Sequence, residues 1–289
     1  TIDIRIAGAD DFQFTANTFT AQSGSTIAAQ ALTATTGGFT GEVTATGFTG
    51  TLDGVLGSGT AAAVSATTIG SSGGVTITGT TPTLTIGDAG AEDTKIVFDG
   101  NAQDFHIGLD DTADSLVLGL GSALGTTTHM AFDAAGHVRK PLQSSFKAYA
   151  SGSTTLTDAT YIKVGMTSET YDTNADYTTA TSRFTAPVDG RYLFISNIMG
   201  LQGFGTTDNA IIIGQFYKNN AVDSAYFRLL LDSDDDLAQY YDTIGVGGSA
   251  IINLSADDYV EVFIYQTSGA GVTMNYTAGY AYFSGELLG

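Results

Sequence analysis

The sequence predicts an all-β chain in two parts: a repetitive, intertwined trimeric β shaft over residues 1–140 and a β-sandwich of jelly-roll type over residues 141–289. Three observations predict it. Gly, Ala and Thr take an unusual share, with 37 Gly against 3 Pro and no Trp, which is a fibrous or β-rich composition. All 14 Tyr lie at or after Tyr149, so two composition regimes meet near Pro141. Apolar residues recur in short alternating runs, and no stretch carries a convincing helical period.

In the N-terminal part there is no Lys or Arg between Ile6 and Thr94. Gly38-Phe39-Thr40-Gly41 returns as Gly47-Phe48-Thr49-Gly50, which runs into Thr51-Leu52-Asp53-Gly54. Internal similarity of this kind marks a repetitive fold. A second pattern places apolar alternation after an acidic turn: Asp11-Phe12-Gln13-Phe14, Asp104-Phe105-His106-Ile107 and Asp114-Ser115-Leu116-Val117-Leu118. Each reads as a short strand launched from a tight turn. Strands this short cannot alone offset roughly 1–2 kcal/mol of backbone entropy per residue. They need partners, supplied by stacked copies or by three chains wound together. A flexible Gly/Ser/Thr linker is the alternative, and the recurring Phe, Val and Ile at alternating positions favour the shaft over it. Glycine is not at every third position, which excludes a collagen helix.

The C-terminal part has longer alternating strands. Tyr259-Val-Glu-Val-Phe-Ile-Tyr265 puts Val260, Val262 and Ile264 on one face. Arg191-Tyr-Leu-Phe-Ile-Ser196 and Ala210-Ile-Ile-Ile-Gly-Gln-Phe-Tyr-Lys218 are similarly β-branched or aromatic. Several such strands with turn signals between them indicate a sandwich or jelly roll.

Charge narrows the partners. Ten Lys+Arg stand against 30 Asp+Glu, a formal net charge of -20, shared evenly between the two parts. Nucleic acid is excluded as a partner, because binding it needs a basic stripe to displace counterions from phosphate. An anionic membrane surface is disfavoured for the same reason. No apolar run reaches the roughly 20 residues that a membrane helix requires, so membrane insertion is not expected. Cysteine is absent, leaving packing or oligomerisation to supply stability.

A family resemblance runs through most of the C-terminal part. Phe146-Lys-Ala148 resembles the opening strand of the globular C1q head, a jelly roll related to tumour necrosis factor. Glu169-Thr-Tyr-Asp-Thr173 followed by Arg183-Phe-Thr-Ala-Pro-Val-Asp-Gly-Arg-Tyr-Leu-Phe194 resembles that family's most characteristic stretch. Gly214-Gln-Phe-Tyr-Lys-Asn-Asn220, Leu254 to Val260, and Phe283-Ser-Gly-Glu-Leu-Leu288 are similar to its central strand and turn, its Leu-x-x-Gly-Asp-x-Val segment and its closing strand. Asp257 stands where the family usually has Gly, which puts that turn in question. Such heads are usually trimers, so the resemblance implies a homotrimer that binds at its outer loops.

The N-terminal part separately resembles shaft segments of bacteriophage tail fibres, in Phe48-Thr-Gly-Thr-Leu-Asp-Gly54 and in Glu92-Asp-Thr-Lys-Ile-Val-Phe-Asp-Gly-Asn-Ala-Gln-Asp-Phe105. Together the two resemblances imply a viral attachment protein in the virion's tail fibre, acting extracellularly. Its partners would be a bacterial host-surface receptor, glycan or protein, and other virion tail proteins. Two alternatives stay open: a purely structural head that trimerises and registers the fibre, and a bacterial surface or spore adhesin of similar build.

The chain is not expected to be an enzyme. Its three His, His106, His129 and His137, all sit in the N-terminal part, which makes a hydrolase triad hard to build. Gly70-Ser71-Ser72-Gly73-Gly74 fits the nucleophile-elbow pattern, but that motif needs a strand before it and a helix after it. A glycan-degrading tailspike would need two carboxylates facing a bond at roughly 5–9.5 Å. Asp10/Asp11 and Asp110/Asp111 are adjacent pairs whose members point to opposite faces of a strand, so they read as turn residues. The oxygen-rich segment Asp232, Asp234, Asp235 and Asp236 is the candidate Ca²⁺ site, although Leu237 and Thr243 exclude an EF-hand. A solvated acidic loop is the plainer alternative. Tyr226, Tyr240 and Tyr241 flank that loop and are the candidate receptor contacts, because Tyr offers large contact area at low entropic cost. The same three residues would equally suit a trimer interface.

Overall fold

The computed structural model describes residues 2–6, 9–16, 18–21, 68–202, 210–231, 244–276 and 280–289. The repeated Gly-Phe-Thr-Gly units, the Asp232 to Asp236 segment, and Tyr240 and Tyr241 lie outside the described residues. The protein is all-β, with no helix among the described residues. Two compact units divide the chain, Thr1–Val75 and Thr76–Gly289. The change of composition at Pro141 falls inside the second.

In the first unit, strands β1 (Ile2–Ile6), β2 (Ala9–Thr15) and β3 (Thr18–Ala21) form an antiparallel sheet in that order. Ile4 pairs with Phe12 and Arg5 with Asp10, so the Asp10-Asp11 doublet occupies a β-bulge.

Residues 68–93, on both sides of the boundary between the units, carry no strand and are exposed along nearly their whole length. They include the Gly70 to Gly74 segment, where the Ser71 hydroxyl donates to the Gly73 carbonyl at 3.0 Å. No helix follows it, so the nucleophile-elbow context is missing. A five-stranded antiparallel meander then runs β4 (Thr94–Phe98), β5 (Phe105–Asp110), β6 (Ser115–Leu120), β7 (Thr128–Asp133) and β8 (Val138–Arg139). Its turns use the acidic residues as expected. Asp110 accepts the Ala113 amide at 3.0 Å, Asp104 accepts the Gly100 amide at 3.2 Å, and Asp114 takes a left-handed φ of 47° just before β6.

The rest of the chain is a two-sheet jelly-roll sandwich. Its strands are β9 (Ser145–Tyr149), β10 (Gly152–Leu156), β11 (Ile162–Lys163), β12 (Ser168–Asp172), β13 (Tyr177–Thr178), β14 (Arg183–Thr185) and β15 (Gly190–Gln202). They continue through β16 (Ala210–Lys218), β17 (Ala221–Leu231), β18 (Ile244–Leu254), β19 (Tyr259–Gln266), β20 (Val272–Tyr276) and β21 (Ala281–Leu287). The first sheet has the order β10-β20-β15-β21-β9-β12, with β18 also on β15, and the second β13-β14-β19-β16-β17, with β11 also on β19. Successive long strands cross between the sheets: β9 lies in the first, β14 in the second, β15 in the first, β16 and β17 in the second, β18 in the first, β19 in the second and β21 in the first. That alternation is the jelly-roll path.

Alternating side chains from both sheets fill the gap. Val260, Val262 and Ile264 are fully buried, as the period-2 reading of β19 requires. An aromatic cluster ties the layers together. Phe146 of β9 stacks on Phe184 of β14 and on Tyr177 of β13, each at 4.9 Å, and meets Phe283 of β21 edge-on at 4.9 Å. Such pairs add about 0.5–1.5 kcal/mol each beyond the area they bury. The Tyr177 hydroxyl donates to the Met166 carbonyl at 2.9 Å, and burial pushes its pKa well above the ordinary phenol value.

Candidate binding and assembly surfaces

The second sheet presents an aromatic and ionic outer face. Because Val260, Val262 and Ile264 point inward, Tyr259, Glu261, Phe263 and Tyr265 point out. Register then brings β16 alongside, with Tyr217 opposite Glu261. Tyr217 stacks on Phe263 with ring centroids 4.0 Å apart, and Tyr161, in the loop before β11, lies 4.7 Å from Tyr265 and 6.1 Å from Tyr217. Burial raises the pKa of Tyr161, with Tyr265 adding to it, and burial likewise raises that of Tyr217, with Tyr161 adding. Both phenols therefore stay neutral hydrogen-bonding groups across the ordinary pH range.

Beside these rings sits a buried carboxylate. Glu261, only 2% exposed, accepts from Lys163 Nζ at 3.1 Å, from Arg183 Nη2 at 3.0 Å and from Arg183 Nε at 3.1 Å. Arg183 also lies flat over Tyr259 at 3.6 Å. Two cations on one carboxylate offset the cost of removing it from water, and a stacked guanidinium fixes the geometry. The result is a rigid, preorganised aromatic platform with a cationic border.

The first sheet has a different outer face. Its central strand β15 turns Leu193, Ile195 and Met199 outward, and Leu193 pairs with Ile251 of β18, which is 63% exposed. Tyr282 of β21 pairs with Tyr149 of β9 on the same side, with Lys147 Nζ 4.9 Å from the Tyr282 ring. Uncovered aliphatic side chains on adjacent strands suit protein–protein association.

The meander has two unlike faces as well. Three rungs of cross-strand pairs run over one of them: Phe98–Phe105–Leu120, then Ile96–Ile107–Leu118–Met130, then Leu109–Leu116–Phe132–Val138. The opposite face carries His106, Gly108, Ser115, Val117, Gly119 and Ala131, all buried, and the chain's own loop after β6 lies over part of it. Leu124 of that loop lies against Gly108, and Lys95 Nζ reaches the Ser122 carbonyl at 2.6 Å.

The sequence-predicted sites fare unevenly. Of Tyr226, Tyr240 and Tyr241, only Tyr226 is placed, in β17 in register with Gln215. The three His do not converge: His106 Nδ1 donates to the Gly121 carbonyl at 2.8 Å, His129 lies 6.2 Å from Phe105, and exposed His137 pairs with Asp133 at 3.1 Å. A shallow cleft of about 370 Å³ is lined by His129, Lys140, Leu142, Gln143 and the end of the chain at Leu287 to Gly289. Its lining holds no Ser, Thr, Cys, Asp or Glu. The aromatic platform, which the structure does assemble, was signalled by the outward set of the β19 heptapeptide, where three of four positions are aromatic.

The loop at Asp257 resolves the question raised by that residue. Asp257 adopts a left-handed φ of 69°, the conformation that glycine favours, and its amide donates to the Ala186 carbonyl at 2.8 Å. The neighbouring Asp258 binds Lys218 Nζ at 2.8 Å, the Asn219 amide nitrogen at 2.6 Å and the Ser255 backbone amide at 2.8 Å. The turn is kept, with aspartate standing in for glycine.

No protein-family model matches the chain, and no curated protein matches it. Among solved structures, the globular domain of zebrafish complement 1qA protein is 16% identical, with a TM-score of 0.35 over 51% of this chain and 98% of that chain. Eiger TNF from S. frugiperda is 14% identical, with a TM-score of 0.37 over 51% of this chain and 92% of that one. Murine APRIL is 10% identical, with a TM-score of 0.36 over 50% of this chain and 99% of that one.

Proposed function

We propose that this chain is a non-enzymatic attachment protein of a bacteriophage tail fibre, a homotrimer whose C-terminal sandwich binds a bacterial surface receptor. The observation that carries the proposal is the chemical division of the sandwich's two outer faces. The face with Ile195, Met199 and Ile251 is aliphatic and suits association with further copies. The other carries Tyr161, Tyr217, Phe263 and Tyr265 as a rigid platform, and stacked aromatic rings of this kind suit the apolar faces of sugars and exposed side chains. The resemblance of the N-terminal segments to tail-fibre shafts supports the viral setting. Three such platforms on one fibre raise avidity by roughly 10²–10⁴ without any single tight site.

The test uses the full chain, labelled and applied to an array of bacterial surface glycans and to a panel of whole bacterial cells. Light scattering is expected to give three times 29.8 kDa. Tyr217→Ala and Tyr161→Ala are each expected to weaken binding about tenfold or more, as loss of an aromatic hot spot does, with the mass unchanged. Binding that survives both substitutions would move recognition away from this platform. A mass of one chain would remove the trimer.

A further inference from the structure

We infer that the apolar face of the β4–β8 meander is a second self-association surface, closed by the same face of other copies of this chain. The inference rests on the homotrimer reading above and adds to it a contact outside the sandwich.

The sheet is built inside out for a solitary chain. Its buried small and polar residues lie partly under its own loop, while its large aliphatic and aromatic residues, Val97 and Val117 aside, face away. Eight of those large side chains, spread over all three rungs, are each between 38% and 61% exposed. At areas on the order of 150–200 Å² per side chain, that leaves roughly 550–730 Å² of apolar surface. A typical monomer shows no patch larger than about 300–600 Å², and a stable interface takes about 800 Å² from each partner. The uncovered face therefore lies at or above the upper end of what a monomer shows and approaches the area that an interface uses.

Charge selects the occupant. Lys95, Asp110, Asp133 and Arg139 all pair on the opposite face, so no Asp, Glu, Lys or Arg stands on the three rungs. A chain of net charge -20 repels its own copies wherever carboxylates meet. Here they do not meet, and an identical apolar face is the complementary partner. In a closed cyclic assembly three such sheets turn inward, each packing on the other two at the ~10 Å spacing of stacked sheets.

Because the chain has no cysteine, a single one can be introduced as a clean probe. Leu118→Cys sits on the middle rung, and Ser122→Cys, in the exposed loop on the other side, is the control. Maleimide labelling of the full native chain is expected to be at least tenfold slower at Leu118→Cys than at Ser122→Cys. Oxidation is expected to link Leu118→Cys chains in pairs by an intermolecular disulfide. Equal labelling rates in a preparation with the mass of three chains would overturn this inference and leave the trimer standing. Slow labelling with the mass of one chain would also overturn it, because the chain's own residues would then cover the face. Fast labelling with the mass of one chain would remove both readings. Leu116→Asp gives a second measurement should the cysteine variant misfold: it is expected to make the segment 94–139 open to limited proteolysis, and unchanged resistance would overturn the inference.

Discussion

Asp257 and Asp258 stand side by side and do opposite things to the fold. Asp257 is held at φ 69°, where a Cβ is strained, so Asp257→Gly relieves that strain at the cost of greater freedom in the unfolded chain. The balance is expected to favour the variant by ~0.5 kcal/mol, read as a small rise in the denaturant midpoint at unchanged slope. Asp258 is stabilised as an anion, first by the Lys218 ammonium, then by Asn219 and the Ser255 amide, which lower its pKa from 3.8 to about 2. Its contribution is therefore complete above the unfolded value and is lost as pH falls through the folded one. Asp258→Asn is expected to melt lower than the parent at neutral pH, with the gap closing near pH 2. A gap independent of pH would show that the carboxylate charge is not what the turn uses. The left-handed position was legible in the sequence as an aspartate in a glycine's place. The Lys218 partner was not, since Lys218 ends β16 and reaches Asp258 only because β16 pairs with β19.

At the scale of the strand, period-2 alternation predicted which residues of β19 enter the core, and Val260, Val262 and Ile264 do so. Glu261 alternates onto the other face and is buried even so. Lys163 and Arg183 reach it from 98 and 78 residues away, contacts that no local pattern carries. Tyr161 likewise joins the platform from a loop rather than a strand, so a search along the chain for neighbouring tyrosines favoured Tyr226, Tyr240 and Tyr241 instead. Packing is equally invisible from one strand alone. Gly285 of β21 reads as an interruption of an alternating run, but a Cβ there would lie 2.6 Å from Phe194 and 2.9 Å from Phe146. Gly285→Ala is therefore expected to destabilise the sandwich by ~1–3 kcal/mol through overpacking. Gly165→Ala, whose added carbon would meet only Thr167 at 3.8 Å, is the matched control and is expected to change the midpoint little. Equal effects at the two positions would mean that the aromatic cluster yields more readily than its stacking implies.

For the whole molecule, composition set the outline: an acidic, cysteine-free, β-rich chain finds its stability in packing or in association. The sandwich buries an aromatic core of its own, whereas the meander leaves its apolar face open and the first sheet leaves Ile195, Met199 and Ile251 uncovered. Association gains from covering those faces and loses from charge, because the proposed trimer would carry three times -20. Apolar contacts are nearly indifferent to dilute salt, but repulsion between exposed carboxylates is not. The Debye length falls from about 30 Å at 0.01 M salt to about 8 Å at 0.15 M, which removes most repulsion between chains while leaving the apolar faces as they were. The melting temperature of the assembled protein, at fixed chain concentration, is therefore expected to rise by a few °C, on the order of 1 kcal/mol, between those two salt concentrations. Calorimetry paired with light scattering checks it, and a melting temperature that falls with salt would mean that ion pairs across the interfaces, rather than apolar faces, hold the copies together.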